Sequence, residues 1–374
     1  MMTHTAWRAL AALILLSLGL SLAPVVAAQP RSAVAPLHPI TPAAGQLWLL
    51  GQPFEVRGLN YIHYTGSPVG CPELHFGADP TCPWDRAAID ADMDRLAGLG
   101  VNTIRVFLNY YVFGGARAQD PNYRMDLALA HLDELLASAS RRGIYVMPVL
   151  LVKFPQDQLN PAGFDQAFEL HVRPVVRHLA ARPGIIAWDL FNEPDLGSPI
   201  DGRCWDWDNG DFPLCLTLAN QRLAFMQRLS NEVRQLDPGR PITIGLGFAK
   251  NYFRPLAAEQ RLADMVDIYT FHYYDDDPFD SGRYAQHWYY GKGLPTDLRR
   301  SISELHNLGQ GKPVIITELG FPLAPEGRRS LAEVQRDLRL SLNTSREAGA
   351  RGVMLWPFER DLNLIVGDLF TAGR

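Results

Sequence analysis

The stretch IIAWDLFNEP, residues 185–194, contains the pattern on which the prediction of the fold depends. It is a short, mostly apolar run that ends in a group of polar or structure-breaking residues, as expected of a buried strand that reaches the edge of its sheet. Similar runs recur along the chain, and most are followed by a longer segment with helical spacing. Such alternation is typical of parallel strands joined by crossover helices.

Eight strand-like runs can be counted outward from this stretch. They are Val56–His63, Thr103–Leu108, Tyr145–Val152, Ile185–Asn192, Ile242–Phe248, Ile268–Tyr274, Val314–Leu319 and Val353–Phe358. Gly100 and Gly143 stand where left-handed helix caps are needed, just before a strand begins. The sequence therefore predicts an α/β fold, a single (β/α)₈ TIM barrel, with a small N-terminal hairpin over Leu47–Phe54 that caps its bottom.

The apolar stripes between the runs predict helices. One stripe consists of Met226, Leu229, Val233 and Leu236, and another of Leu331, Val334, Leu338 and Leu342. Both follow the spacing of one helix face, so these residues are assigned to the core. Only residues 359–374 follow the last run, and Gly367 interrupts them, so the eighth helix is expected to be short or incomplete.

Length and composition limit the classes of function. A chain of 374 residues suits one such barrel, and its apolar fraction of 47% and charged fraction of 20% are those of an ordinary globular protein. The net charge of -5 is mild, and Lys and Arg form no stripe. We therefore expect no nucleic-acid partner, and a monomer is the simplest expectation.

The first residues have the features of an export signal. Arg8 precedes an apolar run from Ala9 to Leu22, and Val26-Ala27-Ala28 offers small residues for cleavage. The alternative is an uncleaved membrane anchor, but the run is shorter than the roughly 18 residues that span a bilayer. The predicted organisation is a signal peptide over 1–28, a Pro- and Ala-rich linker over 29–45 and a catalytic domain over 46–374. The mature protein is expected to be secreted or extracytoplasmic, with no membrane contact.

Export would permit disulfides between the four cysteines. They form two local pairs, Cys71 with Cys82 and Cys204 with Cys215, and each pair would staple one loop. Proximity along the chain is the reason for preferring this among three possible connectivities. None of the spacings is that of a zinc site, and we expect neither a metal nor a cofactor.

Two glutamates stand at strand ends, where the βα loops of a barrel meet and active sites are built. Glu193 follows the fourth run and Glu318 ends the seventh. Paired carboxyl groups across a barrel mouth suit hydrolysis of a glycosidic bond, because one protonates the leaving oxygen while the other attacks the anomeric carbon. His272 and Tyr274 share one strand face, and Arg105 is placed to orient a carboxylate.

These motifs resemble clan A of the glycoside hydrolases, and most closely family 5, the cellulase and mannanase family, over nearly all of residues 46–360. The resemblance implies that Glu193 is the acid/base, that Asn192 contacts the 2-hydroxyl of the sugar, and that Glu318 is the nucleophile. It also matches four substrate-binding positions: Arg105, His272, Tyr274 and Trp356. One departure is the third run, which has no histidine near its end.

The resemblance implies a retaining double displacement, in which the carboxyl groups lie about 5 to 5.5 Å apart. Glu193 is then expected to have a raised pKa, from partial burial and from the charge of Glu318. The expected substrate is a β-linked polysaccharide or oligosaccharide, of the β-mannan or β-1,4-glucan type.

Aromatic residues after strands one, four and six favour a long cleft and endo action, although any one of them could equally pack its own loop; they are Trp84, Trp205, Trp207, Trp288, Tyr289 and Tyr290. Three alternatives remain: a barrel that binds carbohydrate without turnover, a transglycosylase that uses the same site, and a metal-dependent hydrolase. The last lacks a histidine cluster at the strand ends.

Overall fold

A computed structural model describes residues 37–62, 75–113, 124–196, 213–253, 261–274, 290–321, 329–356 and 369–370. The strands are β1 (Ile40–Ala43), β2 (Gln46–Leu49), β3 (Gln52–Pro53), β4 (Val56–Tyr61), β5 (Thr103–Asn109), β6 (Tyr145–Val152), β7 (Trp188–Asn192), β8 (Ile242–Leu246), β9 (Tyr269–Tyr274), β10 (Val314–Gly320) and β11 (Gly352–Leu355). The α-helices are α1 (Arg86–Gly98), α2 (Tyr110–Phe113), α3 (Met125–Ser140), α4 (Pro161–Ala167), α5 (Arg173–Leu179), α6 (Pro213–Leu236), α7 (Thr296–Asn307) and α8 (Leu331–Glu347).

Strands β4 to β11 form a closed barrel of eight parallel strands in chain order. Each coincides with one of the eight runs, to within a few residues at either end, which confirms the predicted TIM barrel. All residues of β5 and β6 are buried, because the inner face fills the barrel and the outer face packs on helices. All eight C-terminal strand ends therefore meet at one mouth.

The helices bury the predicted stripes against the outside of the barrel. Met226, Leu229 and Val233 of α6 are buried, as are Val334, Leu338 and Leu342 of α8. Gly100 and Gly143 adopt φ of 80° and 73°, the left-handed conformation expected of C-terminal caps. The connection from β8 to β9 differs from the prediction, because its described residues form two 3-10 turns, Ala249–Tyr252 and Leu262–Met265, in place of an α-helix.

A small antiparallel sheet of β1, β2 and β3 closes the bottom of the barrel. Its Ile40 and Leu47 pack in one apolar cluster with Tyr145 and Met147, near the start of β6. The predicted hairpin is present, but the sheet has a third strand, β1, within the segment 29–45 that was assigned to the linker. The linker prediction is wrong for these residues, because an edge strand tolerates the proline that made the segment look like a loop.

The predicted signal peptide and the rest of the linker, residues 1–36, lie outside the described residues, and so does most of the segment 359–374 that was expected to hold the eighth helix. Within the described ranges, no helix combines the length and the apolar character needed to cross a bilayer.

Candidate active site

The structure brings the seven predicted site residues together at the mouth of the barrel. They are Arg105 on β5, Asn192 and Glu193 at the end of β7, His272 and Tyr274 on β9, Glu318 on β10 and Trp356 directly after β11. Strand ends that are distant in the chain converge here because the sheet is closed. The roles assigned to these residues remain predictions, and their contacts show what each can do.

Glu318 is held by direct contacts to its carboxylate. The pairing of β9 with β10 shifts its register between Ile316 and Glu318, so that Glu318 lies opposite His272. Such an irregularity re-aims a side chain at a strand end. Arg105 Nη1 donates to Glu318 Oε1 at 2.6 Å, and the hydroxyl of Tyr274 donates to Oε2 at 2.6 Å. With 6% of its side chain exposed, Glu318 is fixed on both oxygens at the floor of the mouth.

Arg105 is a fully buried cation that organises this floor. Its Nε donates to Asp189 Oδ2 at 2.9 Å, its Nη1 to Asn60 Oδ1 at 3.1 Å and its Nη2 to Asn192 Oδ1 at 2.8 Å. Burial lowers its pKa, but the charges of Asp189 and Glu318 outweigh this effect, and the net change is upward. The guanidinium is therefore a permanent charge that faces the candidate nucleophile.

Tyr274 remains a hydrogen-bond donor over the whole working range of pH. Burial is the largest cause that raises its pKa well above the ordinary value, and the charge of Glu318 raises it further. A protonated phenol donates to a carboxylate, whereas a phenolate would repel it. Tyr274 thus orients the carboxylate of Glu318 and adds no negative charge beside it.

Glu193 has a different environment. Its backbone is left-handed, with a φ of 52°, which is uncommon outside glycine. Its side chain is 27% exposed, and its Oε1 lies 2.7 Å from His272 Nδ1. Burial of the carboxyl raises the pKa of Glu193 to about 7, and the charge of Arg105 opposes this. The rise in the pKa of Glu193 agrees in direction with the prediction. The main cause of the rise is burial, and the charge of Glu318 is not among its causes.

His272 is neutral near pH 7, because burial lowers its pKa to about 4 even though Glu318 pulls it upward. When its proton is on Nδ1, the imidazole donates to Glu193 Oε1, so that Oε2 of Glu193 can carry the carboxylic proton. The same Nδ1 lies 3.5 Å from Glu318 Oε2. His272 therefore lies between the two glutamates and contacts the acid/base candidate more closely.

The two carboxyl groups face each other. One oxygen of Glu193, one oxygen of Glu318 and one nitrogen of His272 all lie within 4.8 Å of one another. Of the His, Cys, Asp and Glu side chains that the structure describes, these three are the only group close enough to surround a single cation. The expectation that the protein needs no metal stays a prediction.

Asn192 and Trp356 complete the predicted set. The Oδ1 of Asn192 accepts from Arg105, which leaves its amide nitrogen to meet a substrate hydroxyl. Trp356 is partly buried, and its ring meets Phe107 edge-on, with ring centroids 5.7 Å apart. Phe107, Val149 and Val152 form a buried apolar cluster against which Trp356 packs. The partly exposed indole ring can receive the C–H face of a sugar.

Three further residues hold the site together and were missed by sequence reasoning. Asn60 donates to the carbonyls of Thr317 and Leu355 at 2.9 and 3.1 Å, and Asp189 accepts from the backbone N–H of Gly245 at 2.8 Å. Asn60 and Asp189 are polar residues inside otherwise apolar strands, and this was the signal that could have identified them.

Gly245 is the third of these residues. A Cβ there would lie 2.6 Å from Arg105 Nη2 and 2.9 Å from Asp189 Oδ2. Only glycine leaves room for this packing.

Lys153 follows β6 directly, at the end of the run that has no histidine. Leu151 pairs with Phe191, so β6 and β7, which Lys153 and Glu193 follow, are neighbouring strands. Lys153 is exposed and has a left-handed φ of 59°. The third barrel strand is therefore followed by a cation on the mouth side of the barrel.

Two of the six loop aromatics that were expected to line a cleft pack instead against their own surroundings. Trp84 stacks on His131, with ring centroids 4.4 Å apart, and donates to Glu134 at 2.9 Å. Tyr290 lies under Arg300, 3.8 Å from the guanidinium carbon to the ring centroid, and hydrogen-bonds Glu304. The other four lie outside the described residues.

Cys71 and Cys204 lie outside the described residues, nothing is described of the side chain of Cys215, and Cys82 is buried. The predicted pairing stays a prediction.

Comparison with known families gives one match over most of the chain. The model described as Cellulase (glycosyl hydrolase family 5) matches residues 63–346. A protein of Oryza sativa subsp. japonica provisionally named mannan endo-1,4-beta-mannosidase 9 is 24% identical over 323 residues, which are 74% of this chain and 70% of that protein. A beta-glucuronidase of Paenibacillus borealis is 28% identical over 203 residues, 51% of this chain and 28% of that protein.

Among solved structures, the beta-1,4-D-mannanase of Cryptopygus antarcticus superposes with a TM-score of 0.59 at 16% identity, covering 90% of this chain and 95% of that one. At this identity the likeness concerns the fold alone.

Proposed function

The chain belongs to glycosyl hydrolase family 5, and from this premise we propose that it hydrolyses a β-linked polysaccharide or oligosaccharide by double displacement with retention of anomeric configuration. In this proposal Glu318 is the nucleophile and Glu193 is the acid/base. The observation that carries it is the approach of the two carboxyl groups, with one oxygen of each within 4.8 Å.

The separation supports retention over inversion. Inverting enzymes need about 6.5 to 9.5 Å between their carboxyl groups, because a water molecule must fit behind the sugar. Retaining enzymes need about 5 to 5.5 Å, because the nucleophile itself contacts the anomeric carbon. One oxygen of Glu193 lies within 4.8 Å of one oxygen of Glu318, an approach that supports the shorter, retaining arrangement.

In the first step, a carboxylate oxygen of Glu318 attacks the anomeric carbon while Glu193 transfers its proton to the departing glycosidic oxygen. The bond from carbon to leaving group breaks and a glycosyl ester with Glu318 forms. In the second step Glu193, now ionised, takes a proton from water, the water oxygen attacks the same carbon, and Glu318 is released. Arg105 and Tyr274 stabilise the charge of Glu318 before and after the ester exists.

The pKa of about 7 suits Glu193 for both steps. A group that first gives and then takes a proton is most effective when its pKa is near the working pH. Because burial raises this pKa, most of the carboxyl is protonated in the free enzyme below about pH 7. With a pKa so near neutrality, Glu193 can also ionise once it has given its proton away.

A substrate of the β-mannan or β-1,4-glucan type, cleaved by endo action, is the first candidate. The name of the rice relative refers to endo-1,4-β-mannosidase, and the partly exposed ring of Trp356 suits a pyranose ring. Thin-layer analysis of products from mannan, a soluble cellulose derivative and xylan would identify the polymer. A ladder of oligosaccharides is expected for endo action and a single small product for exo action.

The same assays separate the alternatives. A barrel that binds without turnover would retain polysaccharide and release nothing from any aryl β-glycoside. A transglycosylase would give products longer than the substrate. Proton NMR of the first turnovers tests the mechanism, since retention gives the β-anomer first and an initial α-anomer would overturn the proposal.

Hydrolysis of β-glucuronosides is a second candidate, and Lys153 is the observation that favours it. Lys153 is exposed and follows the strand next to the one that Glu193 follows, so its ammonium can be tested as a partner for the carboxylate of a uronic acid, and a β-glucuronidase is among the relatives. Release of 4-nitrophenol from the β-glucuronide and the β-mannoside, compared at equal concentration, decides between the two sugars.

Export, cleavage after Ala28 and the two local disulfides belong to the same proposal. N-terminal sequencing of the mature protein should begin at Gln29. The intact mass should rise by four hydrogens when both disulfides are reduced.

A further inference from the structure

Glu193 begins a tight turn that is held by the neighbouring strand. Its left-handed φ of 52° costs energy for a residue with a side chain, so other contacts must maintain it. The N–H of Glu193 donates to the carbonyl of Gly245 at 2.7 Å, and the N–H of Leu196 donates back to the carbonyl of Glu193 at 3.3 Å. The turn is thus attached at its start to the end of β8.

Asp195 attaches the other end of this turn. It is fully buried, its Oδ1 accepts from the N–H of Gly247 at 2.8 Å, and its Oδ2 accepts from the N–H of Phe248 at 3.1 Å and from Asn251 Nδ2 at 2.7 Å. All three donors belong to the loop that follows β8. A buried carboxylate with this set of donors cannot shift without leaving several of them unsatisfied.

The packing around Gly247 tightens the same junction. A Cβ at Gly247 would lie 2.8 Å from the side chain of Leu196, so the loop after β8 and the turn are in van der Waals contact with no spare volume. The turn therefore has two attachments, from the N–H of Glu193 to the end of β8 and from the carboxylate of Asp195 to the loop that follows β8.

We infer that Asp195 is the positioning residue of the acid/base, which acts by holding the turn from which the side chain of Glu193 projects. The inference rests on the proposed function. Glu318 has two direct donors on its carboxylate, whereas Glu193 has its close contact to His272 and depends on its backbone for direction. Loss of the Asp195 contacts should impair proton transfer and leave nucleophilic attack nearly intact.

This separation can be measured with two substrates of one sugar. A 2,4-dinitrophenyl β-glycoside has a leaving group that departs without a proton, whereas a phenyl β-glycoside needs one. General acid catalysis is worth about 10²- to 10⁴-fold. We expect Asp195→Asn to lower kcat/KM for the phenyl glycoside by about 10- to 100-fold, at or below the lower end of that range because Glu193 itself is retained, and for the dinitrophenyl glycoside by less than about threefold.

Asp237 offers a matched control at the opposite end of the same two strands. It is buried and accepts from the N–H of Ala181 at 3.3 Å, from Trp188 Nε1 at 3.1 Å and from Arg240 Nε at 3.3 Å. Asp237→Asn should lower the melting temperature at least as much as Asp195→Asn does, and should change both substrates by one common factor. In the pH profile of kcat/KM for the phenyl glycoside, the fall at high pH should shift in Asp195→Asn and should stay in place in Asp237→Asn.

Equal losses on the two glycosides in Asp195→Asn, or no loss on either, would overturn the inference. Asn251→Ala removes a single donor to Asp195 and gives the same test, with a smaller effect, if Asp195→Asn does not fold. Glu193→Gln separates this failure from failure of the proposed function. If Glu193→Gln spares the dinitrophenyl glycoside while Asp195→Asn does not, the acid/base assignment stands and only the inferred role of Asp195 is wrong. If Glu193→Gln impairs hydrolysis of the two glycosides equally, the acid/base assignment is wrong as well.

Discussion

The two glutamates of the mouth are held by opposite means. Glu318 is 6% exposed and is fixed through its carboxylate, by a guanidinium and a phenol. Glu193 is 27% exposed, contacts a neutral imidazole and is fixed mainly through the turn that carries it. The difference suits two tasks, because a nucleophile needs a stabilised negative charge, whereas an acid needs a proton that it can give up.

The electrostatic surroundings of the two carboxyl groups also differ. Arg105 is in direct contact with Glu318, whereas burial dominates at Glu193 and raises its pKa to about 7. The candidate nucleophile thus has a permanent positive charge beside it, and the candidate acid keeps its proton up to near-neutral pH.

The largest expected effect comes from replacing the two glutamates themselves. Glu318→Gln removes the nucleophile, and turnover should fall on every substrate by more than the roughly 10⁴-fold that proton transfer can supply. Glu193→Gln should lower kcat/KM by about 10²- to 10⁴-fold for a phenyl β-glycoside and by far less for a dinitrophenyl β-glycoside. Steady-state kinetics of both variants on both substrates measure this.

If the two variants show the same dependence on leaving group, the division of labour between the glutamates is wrong. Circular dichroism of each variant serves as the folding control.

Tyr274→Phe tests the contacts on the nucleophile side. It removes the 2.6 Å hydrogen bond to Glu318 Oε2 and leaves the ring in place. A hydrogen bond to a charged group is worth about 1.5 to 3 kcal/mol, so kcat should fall about 10- to 100-fold. The loss should be similar for phenyl and dinitrophenyl glycosides, and a loss confined to the phenyl glycoside would assign Tyr274 to the acid side instead.

The pH profile tests the proton on Glu193. Because Glu193 must be protonated to act as an acid, kcat/KM for a phenyl glycoside should fall about tenfold per pH unit as the pH rises above about 7. His272, with a pKa of about 4, should not contribute to this limb. The limb should be absent in Glu193→Gln, and its persistence there would show that another group titrates.

Trp356→Ala should have the smallest effect and should touch neither glutamate. The ring contacts Phe107, and in the proposed function it offers an apolar face to the sugar. We expect a rise in KM of about tenfold or less, in line with the roughly 0.5 to 1.5 kcal/mol of an aromatic contact, and an unchanged pH profile. A shifted upper limb would mean that Trp356 also controls the burial of Glu193.

The sequence was sufficient to predict the barrel and to place both glutamates at its mouth. Strand runs and the convergence of strand ends place Glu193 and Glu318 at one mouth without any knowledge of contacts. Asn60 and Asp189 escaped notice because a buried polar residue inside a strand resembles any other interruption of an apolar run. The register shifts beside Glu193 and Glu318 depend on pairing between distant strands, which no local pattern encodes.

The errors have physical causes. β1 was assigned to the linker because Pro42 and its neighbours resemble a loop, although an edge strand does not need every N–H. The described residues between β8 and β9 form 3-10 turns, where the alternation of the other units had suggested a helix. Trp84 and Tyr290 are packed within their own surroundings, which composition cannot distinguish from a sugar platform.

Trapping the covalent intermediate tests the central claim most directly. A 2-deoxy-2-fluoro β-glycoside with a dinitrophenyl leaving group should inactivate the enzyme, and mass spectrometry of its peptides should find one fluorosugar esterified to Glu318. Turnover without a trapped ester, or a label on any residue other than Glu318, would contradict the account.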